Sequence, residues 1–150
     1  KGKLLVDTKE FENAADSLGK ALLISEKLYG ARSHQASDAA YQLGLAKLAL
    51  NQPEKASELF ERSLATMDVK TPAFLKAKIK LANSLASLGR HGESISHLES
   101  ALKASDSISK VDELKLQILN HLLAEYDATN DTVGKAETER RLNTLRAGLK

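Results

Sequence analysis

The stretch NQPEKASELFERSLATM, residues 51–67, combines a turn with one amphipathic helix. Pro53 lacks an N–H group and suits the first turn of a helix, where that group would have no intrahelical partner. Ala56 and Phe60 follow at a four-residue spacing, which places a small and a large apolar side chain on one helix face. The stretch contains no catalytic or ligand-binding motif. What it indicates about the fold therefore depends on whether the same pattern recurs elsewhere in the chain.

The pattern does recur, in FENAADSLGKALLI (11–24), HGESISHLESALKA (91–104) and VGKAETERRLNTLR (133–146). Small residues begin the aligned copies at intervals of 42, 38 and 42 residues, and a second small and large pair follows. Such self-similarity predicts stacked structural repeats. The aligned positions are Ala14, Ala56, Ser94 and Ala136; Leu18, Phe60, Leu98 and Arg140; Ala21, Ser63, Ala101 and Asn143; and Leu22, Leu64, Leu102 and Thr144.

Between the copies lie apolar segments of helical period and short polar interruptions, which together predict about eight helices and no strands. Tight turns are predicted at 6–10, 51–54, 89–93 and 129–132, and longer connections at 29–35, 67–72 and 105–110. Pro53 and Pro72 suit helix starts, Gly30 and Gly89 suit left-handed helix ends, and the pairs Asp7/Glu10 and Ser109/Asp112 have capping-box spacing.

Residues 40–64 resemble the tetratricopeptide repeat, because Leu43-Gly44 precedes Ala56 and Phe60 at the signature spacing. Leu81-Ala82 and Leu123-Ala124 occupy the place of Leu43-Gly44 in the later copies. The resemblance implies an all-α fold, a right-handed α-solenoid of stacked antiparallel helical hairpins forming a TPR-like superhelix. It also implies one array over residues 1–150, with repeats at about 1–30 (truncated), 35–67, 72–105 and 110–150, the last helix being a cap.

Two features depart from the common form of the family. Ala40, Lys78 and Asn120 stand where it often carries a large aromatic residue, and the repeats exceed its usual period of ~34 residues. ALLISEKLYG (21–30) followed by His34 resembles the long-repeat branch found in kinesin light chains, although Gln35 replaces the proline usual there.

The composition excludes several classes of function. The 22 basic and 20 acidic residues nearly balance, which gives no electrostatic footprint for nucleic acid. No apolar run is long enough to insert into a membrane, and the absence of cysteine suits a reducing compartment such as the cytoplasm. Because the chain starts at Lys1 and its one methionine is Met67, we expect it to be a fragment of a longer protein. Location in an organelle therefore remains an alternative to the cytoplasm.

No catalytic, metal or cofactor site is predicted. His91 and His97 are six residues apart and lie on different faces of a helix, and His34 falls in a loop. GRHGES (89–94) lacks the lysine of a phosphate loop, and no nucleophile elbow occurs. We therefore do not expect an enzyme.

The resemblance instead implies a protein-interaction scaffold that binds a peptide or helix of another protein in a concave groove lined by first helices. Helical geometry selects the groove residues Asp38, Tyr41, Gln42, Leu45, Lys76, Ile79, Lys80, Asn83, Ile118, His121 and Glu125. Lys76, Lys80 and Asn83 share one face and look like part of a clamp for an acidic segment. Asp38 and Glu125 would oppose such a ligand, and the alternative is that these are ordinary exposed polar positions.

The second function left open is self-association into a homo-oligomer. An array end exposes apolar hairpin surface, to which Leu4, Leu5 and Val6 would contribute. The basic amphipathic segment 139–150 could meet an acidic partner or a membrane surface, but a solvated positive face at a helix C-terminus is the commoner arrangement.

Overall fold

The computed structural model describes the backbone of residues 2–149 and the side chains of residues 9–149. Over this range the chain is helical, without strands, which confirms the all-α prediction. Seven helices lie within it, rather than the eight or so predicted. They are α1 (Gly2–Tyr29), α2 (His34–Ala49), α3 (Pro53–Leu64), α4 (Pro72–Ser87), α5 (His91–Ser105), α6 (Asp112–Ala128) and α7 (Thr132–Gly148).

The helices form two compact units, unit 1 (Lys1–Met67) and unit 2 (Asp68–Lys150). In unit 1, α2 packs against both α1 and α3; in unit 2, each helix packs against the next, and α4 also contacts α6. Helical hairpins are therefore the building block in each unit. The prediction of a single array of four repeats stays a prediction.

Three tight turns, α2–α3, α4–α5 and α6–α7, share one backbone geometry. Each has a left-handed residue directly after the helix cap: Asn51 (φ 59°), Gly89 (φ 77°) and Asn130 (φ 57°). The next N–H donates back to a carbonyl five residues earlier, which satisfies the free groups of the helix end. These bonds join Gln52 to Lys47, Arg90 to Leu85 and Asp131 to Tyr126, each at 2.9 Å. The predicted turns at 51–54, 89–93 and 129–132 are confirmed.

A glycine allows α2 and α3 to cross closely, as Leu43-Gly44 predicts. A Cβ atom added at Gly44 would lie 2.7 Å from ring atom Cε1 of Phe60. Phe60 is fully buried, and its ring centroid is 5.7 Å from that of Tyr41. The hairpin α2–α3 therefore depends on an aromatic ring seated on a residue that has no side chain.

Two buried serines join the same helices further along. The Ser37 hydroxyl donates to the carbonyl of Ser63 at 2.8 Å, and the Ser63 hydroxyl donates to the carbonyl of Ser37 at 3.0 Å. Each buried hydroxyl thus has a partner, so its burial leaves no unpaired donor.

The α6–α7 hairpin in unit 2 uses glycine and an aromatic residue in the opposite order. Here the first helix supplies the ring of Tyr126, and the second helix supplies Gly134, where an added Cβ would lie 2.6 Å from ring atoms. Tyr126 also donates a hydrogen bond to Glu99 Oε1 at 2.8 Å, which links α6 to α5. Burial and this hydrogen bond raise the pKa of Tyr126 to about 12.

Several predicted helix ends are confirmed and two are wrong. Pro53 and Pro72 open α3 and α4, and Gly30 is left-handed at φ 95°. The turn predicted at 6–10 does not exist, because α1 runs through it. Asp7 lies outside the residues whose side chains are described.

The Ser109/Asp112 cap is also wrong. Helix α6 begins at Asp112 with Val111 at its N-cap and no side-chain hydrogen bond there. Lys110, the residue before this N-cap, has a left-handed φ of 59°.

The repeat register holds best for the second and third copies, and in the first copy it holds for Leu22, which is 5% exposed. Ala56, Phe60, Ser94 and Leu98 are all buried as the alignment predicts. In the first copy Ala14 and Ala21 are exposed, and Ala15 is buried instead. In the fourth copy Ala136, Arg140, Asn143 and Thr144 are exposed, and α7 packs through Thr138 and Leu142.

Candidate functional site

The predicted site residues of unit 1 lie together on one face of α2. Asp38 and Gln42 are exposed, and Leu45 is half-buried. Tyr41 is half-buried against Phe60, and this burial raises its pKa above the usual range. The face thus offers one carboxylate, one amide and a phenol whose ring is fixed by the core.

In unit 2, four of the predicted residues form a second surface, the α4–α6 face, made of Lys76, Lys80, Asn83 and His121. The three α4 residues follow at steps of four and three, which places them on one side of the helix. Lys76 is exposed and the other three are half-buried. Within residues 9–149, neither Lys76 nor Lys80 has a carboxylate at ion-pairing distance. The face therefore carries two ammonium groups without an internal counter-ion.

Glu125 does not stand free on this surface, contrary to the expectation that it opposes an anionic ligand. It is 8% exposed, and its Oε2 lies 2.7 Å from Nδ1 of His91, the first residue of α5. An N–H group at this ring nitrogen donates a hydrogen bond directly to the carboxylate. Sequence reasoning missed this pair because its members are 34 residues apart.

Ile79 and Ile118 were predicted to line a groove, but both are buried in unit 2, at 4% and 0% exposure. Each points into the packing between helices, so neither offers side-chain surface to a partner. The correction has a simple cause: both α4 and α6 bury more of their circumference than one apolar stripe, because each packs against several helices.

Two histidines of unit 2 sit close to lysines. Burial lowers the pKa of His121, and the positive charge of Lys80 lowers it further, while Glu125 acts in the opposite sense. Burial likewise lowers the pKa of His97, with Lys78 Nζ lying 2.9 Å from its Nδ1 and Glu93 opposing. Both imidazoles therefore stay neutral in the folded chain at a pH where an unfolded chain binds protons.

This arrangement predicts that unit 2 loses stability on mild acidification. A histidine whose folded pKa is depressed stabilises the fold above its unfolded pKa of about 6.5, and that contribution is lost as the pH falls through the folded pKa. Urea unfolding followed by circular dichroism should show a lower free energy of unfolding at about pH 5 than at about pH 7.

The double substitution His97→Gln and His121→Gln provides the control, since glutamine does not titrate. Above about pH 5, where the carboxylates are still ionised, the free energy of unfolding of this variant should change little with pH. An equally steep dependence in this variant would assign the effect to other groups.

Some kinds of site find no support in the described part of the chain. Among the side chains of residues 9–149, no three histidines or carboxylates converge as a metal would require. Across residues 2–149, no helix has both the length and the apolar composition needed to cross a bilayer.

Comparison with known proteins identifies the repeat. The family model for the tetratricopeptide repeat matches residues 1–68. A protein of Podosopora anserina named as a kinesin light chain, with nearly identical TPR-like repeats, is 18% identical, with a TM-score of 0.79 over 95% of this chain and 70% of that chain. BtubC (BKLC) from P. vanneervenii is also 18% identical, with a TM-score of 0.84 over 94% of this chain and 58% of its own. No curated protein sequence matches the chain.

These similarities confirm the predicted resemblance to the tetratricopeptide repeat over residues 1–68 and the TPR-like solenoid fold over most of the chain. At 18% identity, the similarity to these two proteins is one of fold. Folds of this kind present extended surfaces that suit a scaffold for protein interaction.

Proposed function

We propose that this chain, whose residues 1–68 match the family model for the tetratricopeptide repeat, is a protein-interaction module that binds an acidic peptide segment on the α4–α6 face. The fold supports a scaffold in general, and the chemistry of this face supports the choice of ligand. Asp38, Tyr41, Gln42 and Leu45 on α2 provide a separate surface for a peptide, on which the Asp38 carboxylate would oppose an acidic segment.

The observation that carries the proposal is the pair Lys76 and Lys80. Two cations four residues apart on a rigid helix, without carboxylate partners among residues 9–149, attract a ligand that brings its own negative charge. Asn83, one turn further on, can donate hydrogen bonds from its amide to a carboxylate or a peptide carbonyl. Because Glu125 is held by His91, it opposes such a ligand less than an exposed acid would.

The test is binding of a fluorescent, unstructured peptide rich in Asp, Glu and Leu, measured by anisotropy. We expect affinity that falls with added salt, and a loss of about tenfold in the double variant Lys76→Ala and Lys80→Ala.

The matched control is Lys20→Ala with Lys55→Ala, which removes the same charge from exposed positions on α1 and α3. If both double variants weaken binding equally, the net charge of the chain explains the result and the proposal fails. Circular dichroism of each variant verifies that the helices remain intact.

Self-association is a second candidate, favoured by the exposed apolar side chains of α1. Leu23, Ile24, Leu28 and Tyr29 are 60%, 56%, 68% and 59% exposed. Ile24 and Leu28 lie one turn apart and form the kind of patch that interfaces cover. Light scattering over a concentration series should show a rising mass that Leu28→Glu abolishes, whereas a constant monomer mass contradicts this candidate. Leu4, Leu5 and Val6 lie outside the described side chains.

A further inference from the structure

Unit 2 contains an open groove between α5 and α7, each of which is the second helix of a hairpin. Helices α5 and α7 both pack on α6, while their backbones do not contact each other. The space between them has a volume of about 840 Å³. We call it the α5–α7 groove; its lining residues used below are Leu102, Lys103, Leu119, Arg140, Thr144 and Leu145.

The floor of the groove is apolar. Leu119 of α6 is 2% exposed and closes the bottom, while Leu102 and Leu145 stand half-buried on the two walls. Leucine side chains from three helices thus meet in one concave surface. A surface of this kind fits the apolar stripe of an amphipathic helix.

The rim of the groove is positive, with four cationic side chains against two acidic ones. Both acids already have partners: Glu99 accepts from Tyr126 and lies 3.5 Å from Arg141, and Asp106 lies 3.6 Å from Lys115.

The remaining two cations stand on opposite walls of the groove. Lys103 on α5 is exposed and has no carboxylate at ion-pairing distance within residues 9–149. Among the described side chains, Arg140 on α7 pairs with Glu137 of its own helix and with no other acid. Both sides of the leucine floor therefore offer positive charge to a ligand.

We propose that the α5–α7 groove is a docking site for an acidic amphipathic helix of a partner protein, with leucine-type anchors on the apolar floor and carboxylates facing Lys103 and Arg140. The charge of the rim selects this occupant over a second copy of the basic segment 139–150, which Lys103 and Arg140 would repel. The polar residues Arg140 and Thr144, which interrupt the repeat pattern of the fourth copy, thereby acquire a role.

This groove is separate from the α4–α6 face of the proposed function. Leu119 and His121 are two residues apart on α6, about 200° around the helix axis, so they point to opposite sides. A partner on one surface leaves the other open, and the two sites can be tested independently.

The experiment uses two fluorescent peptides, both locked as helices by a side-chain staple. Each has leucines at i, i+3, i+4 and i+7; one carries glutamates on its flanks and the other carries lysines. We expect the glutamate helix to bind the wild-type chain and the lysine helix to bind at least about tenfold more weakly. Equal binding of the two helices would overturn the proposal.

Three variants locate the binding. Lys103→Glu with Arg140→Glu should weaken binding of the glutamate helix by about tenfold or more. Thr144→Trp should block the groove sterically, since Thr144 is exposed and the substitution leaves the core untouched. Lys70→Glu with Arg146→Glu makes the same charge change at exposed positions outside the groove and should have no comparable effect.

Two other results would each refute the docking site. If Lys76→Ala with Lys80→Ala abolishes binding while the groove variants do not, the helix occupies the α4–α6 face, and the proposed function stands without this second site. If the chain alone self-associates and Thr144→Trp abolishes that association, a second copy covers the groove. Circular dichroism of every variant distinguishes lost binding from lost folding.

Discussion

Ala56→Asp is expected to lower the melting temperature of unit 1 strongly. Ala56 is completely buried on α3, at the close crossing with α2, so the new carboxylate has neither water nor a partner. An uncompensated buried charge costs about 3–5 kcal/mol. Small domains are stable by only about 5–15 kcal/mol, which makes the loss large. Thermal unfolding followed by circular dichroism measures it.

Ala14→Asp is the matched control in the same unit. The repeat alignment pairs Ala14 with Ala56, but Ala14 is exposed on α1, so aspartate there loses only helix propensity, about 0.7 kcal/mol or less. An unchanged melting transition in Ala56→Asp would contradict the burial of this position and, with it, the register of the α2–α3 hairpin.

Phe60→Ala is expected to cost about 3–5 kcal/mol of unfolding free energy in unit 1. The ring is fully buried between helices, and Gly44 opposite has no side chain that could fill the space left behind. Phe11→Ala is the control: Phe11 is 42% exposed on α1, and its truncation should cost about 1 kcal/mol. Denaturant unfolding of the two variants compares them, and equal losses would contradict the packing of Phe60.

A double-mutant cycle can test whether the ring of Phe60 is what excludes a side chain at position 44. Gly44→Ala alone should destabilise by about 1–3 kcal/mol, since its Cβ would lie 2.7 Å from the ring. In the background of Phe60→Leu the same change should stabilise, because alanine is the better helix former by about 1 kcal/mol. Additive effects of the two substitutions would exclude the contact.

The sequence predicts those parts of the fold that depend on the preferences of single residues. Proline has a restricted choice of backbone angles and glycine an unusually wide one, so both residue types mark helix ends correctly. The examples are Pro53, Pro72, Gly30 and Gly89. Lys110 ends a segment in the same left-handed conformation without any such preference, so no pattern could reveal it.

Capping pairs and repeat positions are predicted less well because they depend on context. The turn predicted at 6–10 contains no glycine or proline, and acidic residues at capping spacing also occur inside helices. Ala14 and Ala136 match the repeat by residue type, yet the packing of α1 and α7 turns other residues inward. Alignment by type finds a helix but does not fix its rotation.

In the candidate site, too, some features follow from the sequence alone and others depend on tertiary packing. The common face of Lys76, Lys80 and Asn83 follows from helical spacing, which a sequence contains in full. The contact of His91 with Glu125 and that of Lys78 with His97 join different helices, so they exist only once the hairpins have packed. Sequence therefore predicts which charges share a helix face, and the tertiary structure decides which of them are neutralised.

The three matching turns also bear on the speed of folding. Each one returns the chain on itself within three residues, at Leu50–Gln52, Leu88–Arg90 and Thr129–Asp131, so the helices that meet across it are neighbours along the chain. Chains dominated by such short-range contacts have little loop entropy to overcome before they gain packing energy. Each hairpin is thus able to nucleate by itself, and helical proteins rich in local contacts reach the native state on the order of microseconds to milliseconds.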